Sequence, residues 1–183
     1  LSHISGVYPA EISGMFSYGS ARVKSGAIVF VGLQMWLRKT WLDPLTRAEI
    51  DEAEKFASAH GEPFDRKPWD KIIDVYDGML PVTIRALPEG TVTKGGIPLY
   101  TIECTDPDLY WLATYLETSM QRGIWYPTTI ASNDLENYRI CKRYLNESAE
   151  TLDLLPFMLH DFGGRGVSSE ETAQIGGMAH LVY

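Results

Sequence analysis

The hydrophobic period of this chain changes twice, and that alternation constrains its fold more than any other feature. A helical pattern runs from Leu33 to Leu42, and a shorter helix opened by Pro68 and Trp69 ends at Gly78. Val82–Leu87 and Leu99–Cys104 then read as strands, before helical spacing returns after Thr105. Pro88-Glu89-Gly90 and Lys94-Gly95-Gly96 lie between the strands and supply two turns, which makes this middle region compact β structure. Such a chain must bury helices against a sheet, so the expected class is mixed α/β (α+β).

Local punctuation supports this order. Thr46 and Glu49 have capping-box spacing, Ile50, Ala53 and Ala57 share one helical face, and Gly61 follows as a stop. Met15–Arg22 reads as a strand of mixed aromatic and small residues, and Ala27–Val31 as a short apolar run. Thr105 or Asp106 caps the next helix, with Pro107 in its first turn and Leu109, Leu112, Leu116 and Met120 as its core stripe. Pro127 is expected to interrupt before a second helix from about Thr129 to Ser148. The best boundary falls between Asn146 and Pro156, dividing the chain into domains 1–150 and 151–183. The second opens with a strand at Phe157–His160, a glycine-rich turn and a helix from near Ser168.

Composition excludes several classes. Lys and Arg number 16 against 24 Asp and Glu, a formal charge of −8 over 183 residues, which argues against a generic duplex-nucleic-acid binder. Cys104 and Cys141 form neither a disulfide framework nor a zinc pattern and read as reduced thiols of a cytosolic protein. No signal peptide is visible, and no apolar run approaches the roughly 20 residues of a membrane span. Both ends look cut: the chain opens at Leu1 and closes in the apolar Ala179–Tyr183, as a piece of a longer protein would.

The chemistry concentrates in His160-Asp161-Phe162-Gly163-Gly164-Arg165-Gly166-Val167-Ser168-Ser169-Glu170-Glu171-Thr172. A turn with three glycines lets backbone N–H groups approach a ligand without Cβ obstruction. A helix capped by Ser168 or Ser169 follows, with Ser168 and Glu171 at capping-box spacing. Its N-terminal dipole, next to Arg165, favours an anionic oxygen. Phe162 is either a plug on the core or a stacking face for a flat ring. The segment is neither a Walker loop nor the G-x-G-x-x-G of dinucleotide folds.

This segment resembles the H-D-F-G-x-R-G-V-S-S-x-E-T-A-x-I-G stretch of the nicotinamide phosphoribosyltransferase family. The resemblance extends in order through Tyr76–Pro81, Pro88-Glu89-Gly90, Thr105-Asp106-Pro107, Tyr110-Trp111-Leu112, Glu117-Thr118, Trp125-Tyr126-Pro127 and Ala179–Val182. It implies the N-terminal mixed α/β domain of a type II phosphoribosyltransferase, plus the first strand–turn–helix of its irregular α/β barrel. It also implies a cytoplasmic homodimer with active sites shared across the interface. The implied reaction joins nicotinamide to phosphoribosyl pyrophosphate, giving nicotinamide mononucleotide and pyrophosphate in NAD salvage. Magnesium accompanies the pyrophosphate, and ATP hydrolysis through a phosphohistidine can drive the equilibrium.

By the same resemblance, Phe162 matches the residue that stacks on the nicotinamide ring and Arg165 the arginine beside ring and ribose phosphate. His160 and Asp161 match positions near the substrate tunnel, and Arg22 an arginine that reaches the pyrophosphate of the partner's site. The family's Asp-x-Tyr-Lys segment would precede Leu1. Its phosphohistidine and amide-recognising Asp would follow Tyr183, so these residues alone are not expected to catalyse. No catalytic nucleophile and no metal-ligand set is assigned. The competing readings are a nicotinate phosphoribosyltransferase and a non-catalytic dimerisation or binding module.

Other residues have plainer readings. Taken without the resemblance, Arg22 is a solvated charge at a strand end. His180 lies on the apolar side of the last helix, as a packed residue. His3 and His60 read as surface, Glu117 as the edge of a core stripe with a buried Arg as one candidate partner, and the five tryptophans as core and interface.

Overall fold

The computed structural model describes residues 7–183; His3 lies outside the described residues. In chain order the elements are β1 (Phe16–Ser20), β2 (Ala27–Val29), α1 (Leu33–Thr40), α2 (Arg47–Ala59), α3 (Arg66–Tyr76), β3 (Val82–Ala86), β4 (Val92–Lys94) and β5 (Pro98–Cys104). Then come α4 (Leu112–Tyr115), α5 (Glu117–Ser148) and α6 (Glu170–His180), with 3-10 turns at Pro107–Leu109, Leu155–Phe157 and Gly163–Arg165. The chain is therefore a mixed α/β protein. It forms two compact units, each drawn from several stretches of sequence.

The first unit takes residues up to Gly19, Met35–Ala86 and Tyr100–Met120. Its sheet has the order β1-β5-β3, and β3 runs antiparallel to β5 with Ile84 opposite Ile102. Ile50, Ile72, Ile102, Leu109, Leu112 and Met120 are fully or almost fully buried, each removing an apolar side chain worth about 1.5–3 kcal/mol from water. The expected stripe of Leu109, Leu112, Leu116 and Met120 is thus core. Thr46 and Glu49 form the reciprocal capping box that their spacing predicts. Arg47 and Arg66 tie α2 to α3: Arg66 pairs with Asp51, Glu54 and Asp70, and Arg47 with Asp70 and Asp74.

The third helix ends two residues before Gly78, through a left-handed pair. Asp77 has φ 52° and Gly78 φ 81°, and a Cβ on Gly78 would lie 2.4 Å from the Leu45 carbonyl oxygen. Trp69 packs edge-on against Trp111 and Tyr115, as core tryptophans do, whereas Trp125 is exposed.

The second unit takes Ser20–Gln34, Leu87–Leu99 and Gln121–Tyr183. β2 and β4 form an antiparallel ladder with Ile28 opposite Thr93. Val29 and Val31 pack with Ala131 and Leu135 of α5 and Ala179 of α6.

Two expectations are corrected here. Pro127 does not divide the helix, because α5 runs unbroken for 32 residues. Proline removes the hydrogen bond to the carbonyl four residues back, which here is that of Gly123. Gly32 (φ 108°) packs at that place, where a Cβ would meet the Pro127 ring at 2.5 Å and the Gly123 oxygen at 2.9 Å. The Phe157–His160 stretch is no strand. Pro156 sits in the first turn of a 3-10 helix, and Phe157 and Met158 donate back to Leu154 and Leu155 at 2.9 and 3.3 Å. With those amides turned inward to their own segment, no ladder forms.

Candidate functional site

The glycine-rich segment folds into a turn held by its own residues. The Asp161 carboxylate accepts the Gly163 N–H at 2.7 Å, and the Gly166 N–H donates to the Gly163 carbonyl at 2.9 Å, closing the 3-10 turn. None of Gly163, Gly164 and Gly166 has positive φ, so glycine here provides space rather than a left-handed backbone. A Cβ on Gly163 would lie 2.8 Å from the Asp161 carboxylate, while Gly164 meets only the Ala173 methyl, at 3.9 Å.

The sixth helix begins after Ser169, whose hydroxyl accepts the Thr172 N–H at 3.2 Å. Of the two serines proposed from the sequence, Ser169 is the cap. Glu170 and Glu171 occupy the first turn, so negative charge already sits at the positive end of the dipole. Gly176 is buried against α5. A Cβ there would stand 3.2 Å from the Tyr126 hydroxyl, 3.4 Å from Ile130 and 3.6 Å from the Asp161 carboxylate. This close approach brings α5, α6 and the turn together.

Two clefts result. The first, of about 430 Å3, has a mixed polar and apolar lining and runs between Tyr126, Asn133 and Asp134 of α5 and His160, Asp161 and Gly163 of the turn. The second, of about 870 Å3, is open and largely apolar, with Phe162, Leu155, Phe157, Tyr138 and Leu181 around it. His160, Asp161, Gly164, Ala173 and His180 border both. Phe162 is 86% exposed, its ring centroid 6.1 Å from that of His160 and tilted by 59°. It is therefore not a plug on the core.

The structure brings His160, Asp161 and Phe162 to the clefts. Arg165 belongs to the same turn but is exposed and lines neither cleft. Arg22 is also exposed. It lies two residues past β1, next to Ala21, whose carbonyl accepts the Gly96 N–H at 2.8 Å, and it too lines neither cleft.

Sequence reading missed the contribution of α5. Tyr126, Asn133, Asp134 and Tyr138 fall at helical spacing on one side of it, a pattern visible in the sequence but uninformative without a partner surface. It also placed His180 only as packed. The ring is half-buried and contacts the Asp134 carboxylate through Nδ1 at 3.0 Å and the Leu159 carbonyl through Nε2 at 3.3 Å.

A separate cleft of about 260 Å3 lies within the first unit, between Phe16, Tyr18, Tyr100 and Glu117. Burial raises the Tyr100 phenol pKa, and the Glu117 carboxylate adds to the shift. Glu117 thus stands beside Tyr100 in this cleft.

Comparison with known proteins follows the same lines. Residues 1–84 match the family described as nicotinamide phosphoribosyltransferase, N-terminal domain. A nicotinamide phosphoribosyltransferase of Xanthomonas campestris is 42% identical over 180 residues, 96% of this chain and 38% of that protein. One from Acinetobacter baylyi is 32% identical over 104 residues, 57% of this chain and 21% of that protein. A looser overlap, with a TM-score of 0.48 at 22% identity, joins 67% of the chain to 23% of a crystal structure of human nicotinic acid phosphoribosyltransferase. The chain spans well under half the length of the curated relatives it matches.

Proposed function

From a chain that is related to nicotinamide phosphoribosyltransferases along 96% of its length, we propose that it is an N-terminal part of an enzyme of that activity. The reaction is transfer of the phosphoribosyl group from phosphoribosyl pyrophosphate to nicotinamide, releasing pyrophosphate, as a pentosyltransferase of NAD salvage. The observation that carries this reading is the exposed Phe162 ring, set at the border of the apolar cleft beside His160 and Asp161. A flat pyridine laid on that ring would gain about 0.5–1.5 kcal/mol beyond the area it buries.

Chemistry at the anomeric carbon needs alignment and charge compensation more than a nucleophile. Phe162 would hold the ring so that its nitrogen faces the sugar, converting an encounter into a near-attack arrangement. Arg165, close in sequence and exposed, would meet the ribose phosphate. Arg22 would serve the pyrophosphate of a second subunit's site, with the two subunits paired as a homodimer. Its freedom from either cleft of its own chain fits that role.

Magnesium would come with the pyrophosphate. Among the described residues no group of three or more His, Cys, Asp or Glu side chains could hold a metal ion. Magnesium keeps much of its water and is usually held through substrate phosphates with one or two carboxylates, so it would arrive with the donor. ATP is proposed only as a coupling substrate of the whole enzyme. A cytoplasmic setting is proposed on the two free thiols; no helix among the described residues is long and apolar enough to cross a membrane. The division at residue 150 stands as a proposal for where the barrel begins.

The test offers radiolabelled nicotinamide and nicotinate separately, each with phosphoribosyl pyrophosphate, to the complete protein. Faster conversion of nicotinamide supports the reading. Faster conversion of nicotinate replaces it with the acid-specific enzyme, and conversion of neither leaves a binding or dimerisation module.

A further inference from the structure

His180 sits between two groups that can only accept a hydrogen bond. Its Nδ1 is 3.0 Å from the Asp134 carboxylate of α5, and its Nε2 is 3.3 Å from the Leu159 carbonyl, immediately before the His160–Phe162 turn. Neither a carbonyl nor an ionised carboxylate carries a proton to give. Both contacts are hydrogen bonds only if both ring nitrogens bear hydrogen, that is, if His180 is an imidazolium. In a neutral ring one nitrogen presents its lone pair to an oxygen, so one of the two contacts becomes repulsive.

The pair is sheltered, with side chains 17% and 14% exposed. The other titratable groups that share the clefts with it are Tyr126 and Tyr138 of α5, His160 and Asp161 of the turn, and Tyr183 beyond α6.

We propose that His180 is a positioning residue: held as an imidazolium between Asp134 and the Leu159 carbonyl, it fixes the entry to the turn that presents Phe162. The proposal rests on the reading of Phe162 as the pyridine's stacking face. No proton moves to substrate; the ring acts through the backbone of Leu159. Loss of the second ring proton would remove one of the two hydrogen bonds, so the turn should be held more tightly when both nitrogens carry hydrogen.

The experiment measures nicotinamide affinity of the complete protein by calorimetry at pH 6 and pH 8, for wild type, Asp134→Asn and His180→Phe. Nitrogen-15 NMR of the His180 ring runs alongside. Wild type should bind about tenfold more weakly at pH 8, as expected for one lost hydrogen bond to a charged partner. Asp134→Asn should flatten this profile, because its amide can donate to Nδ1 while a neutral ring still donates from Nε2 to Leu159. A merely structural contact would not produce that flattening. His180→Phe should bind weakly at both pH values.

A wild-type slope retained in Asp134→Asn assigns the pH dependence elsewhere, to His160 for instance, and overturns the proposal. A His180 ring carrying a single proton at pH 6 overturns it as well. Should wild type bind no nicotinamide at either pH, the stacking reading fails, and the NMR signature alone still decides whether His180 is the doubly bonded cation.

Discussion

The Thr128 hydroxyl bonds both backbone groups of Val31: it accepts the Val31 N–H at 3.3 Å and donates to the Val31 carbonyl at 3.0 Å. One turn along α5, the Ser132 hydroxyl accepts the Val29 N–H at 2.9 Å. Two side chains of a helix thus finish the edge of β2, whose other side pairs with β4. Thr128 is buried, so removing its hydroxyl leaves backbone polar groups without water to replace it. Thr128→Val, nearly the same in shape, should destabilise by about 1–3 kcal/mol in urea melts, and Thr128→Ser by much less. Equal stability of Thr128→Val and wild type would show that the edge needs no such partner.

Ser169, not Ser168, caps α6. Ser169→Ala should therefore cost about 1 kcal/mol and speed amide exchange in the first turn of α6, while Ser168→Ala leaves both nearly unchanged. The reverse order would place the start of the helix one residue earlier.

Asp106 accepts hydrogen bonds from Lys71, from the Tyr76 hydroxyl at 2.8 Å and from the Asp108 N–H at 2.9 Å. Burial pushes its pKa upward, and these hydrogen bonds outweigh that effect and hold it below the ordinary 3.8. A carboxylate depressed on folding stabilises fully above its unfolded value, and that contribution disappears as pH falls through the folded one. Asp106→Asn should thus lower stability at pH 7 by about 1–3 kcal/mol. The gap in thermal melts should close as pH falls below about 3.8. A gap that stays constant down to pH 2.5 would remove the carboxylate's charge from the explanation.

These cases also show what the sequence makes legible. The Thr46–Glu49 box, the Leu109–Met120 stripe and the β3–β5 pair are local patterns, and they appear where their spacing puts them. Pro127 misleads because the accommodation of its ring and of the freed Gly123 carbonyl depends on Gly32, distant in sequence. The Phe157–His160 strand misleads because apolar composition does not say whether a neighbouring backbone will pair with it. At the candidate site, His160, Asp161 and Phe162 are contiguous and could be read together. Asp134 could not, since only the packing of α6 against α5 brings it to His180.

Nicotinamide affinity of the complete protein measures the role of Phe162 most directly. With a ring 86% exposed, Phe162→Ala should leave stability within about 0.5 kcal/mol of wild type. It should weaken nicotinamide binding roughly tenfold, with Phe162→Leu between the two, since it keeps apolar area but loses the aromatic face. Unchanged affinity in Phe162→Ala, in a protein that melts as wild type does, would contradict the stacking site and the function built on it.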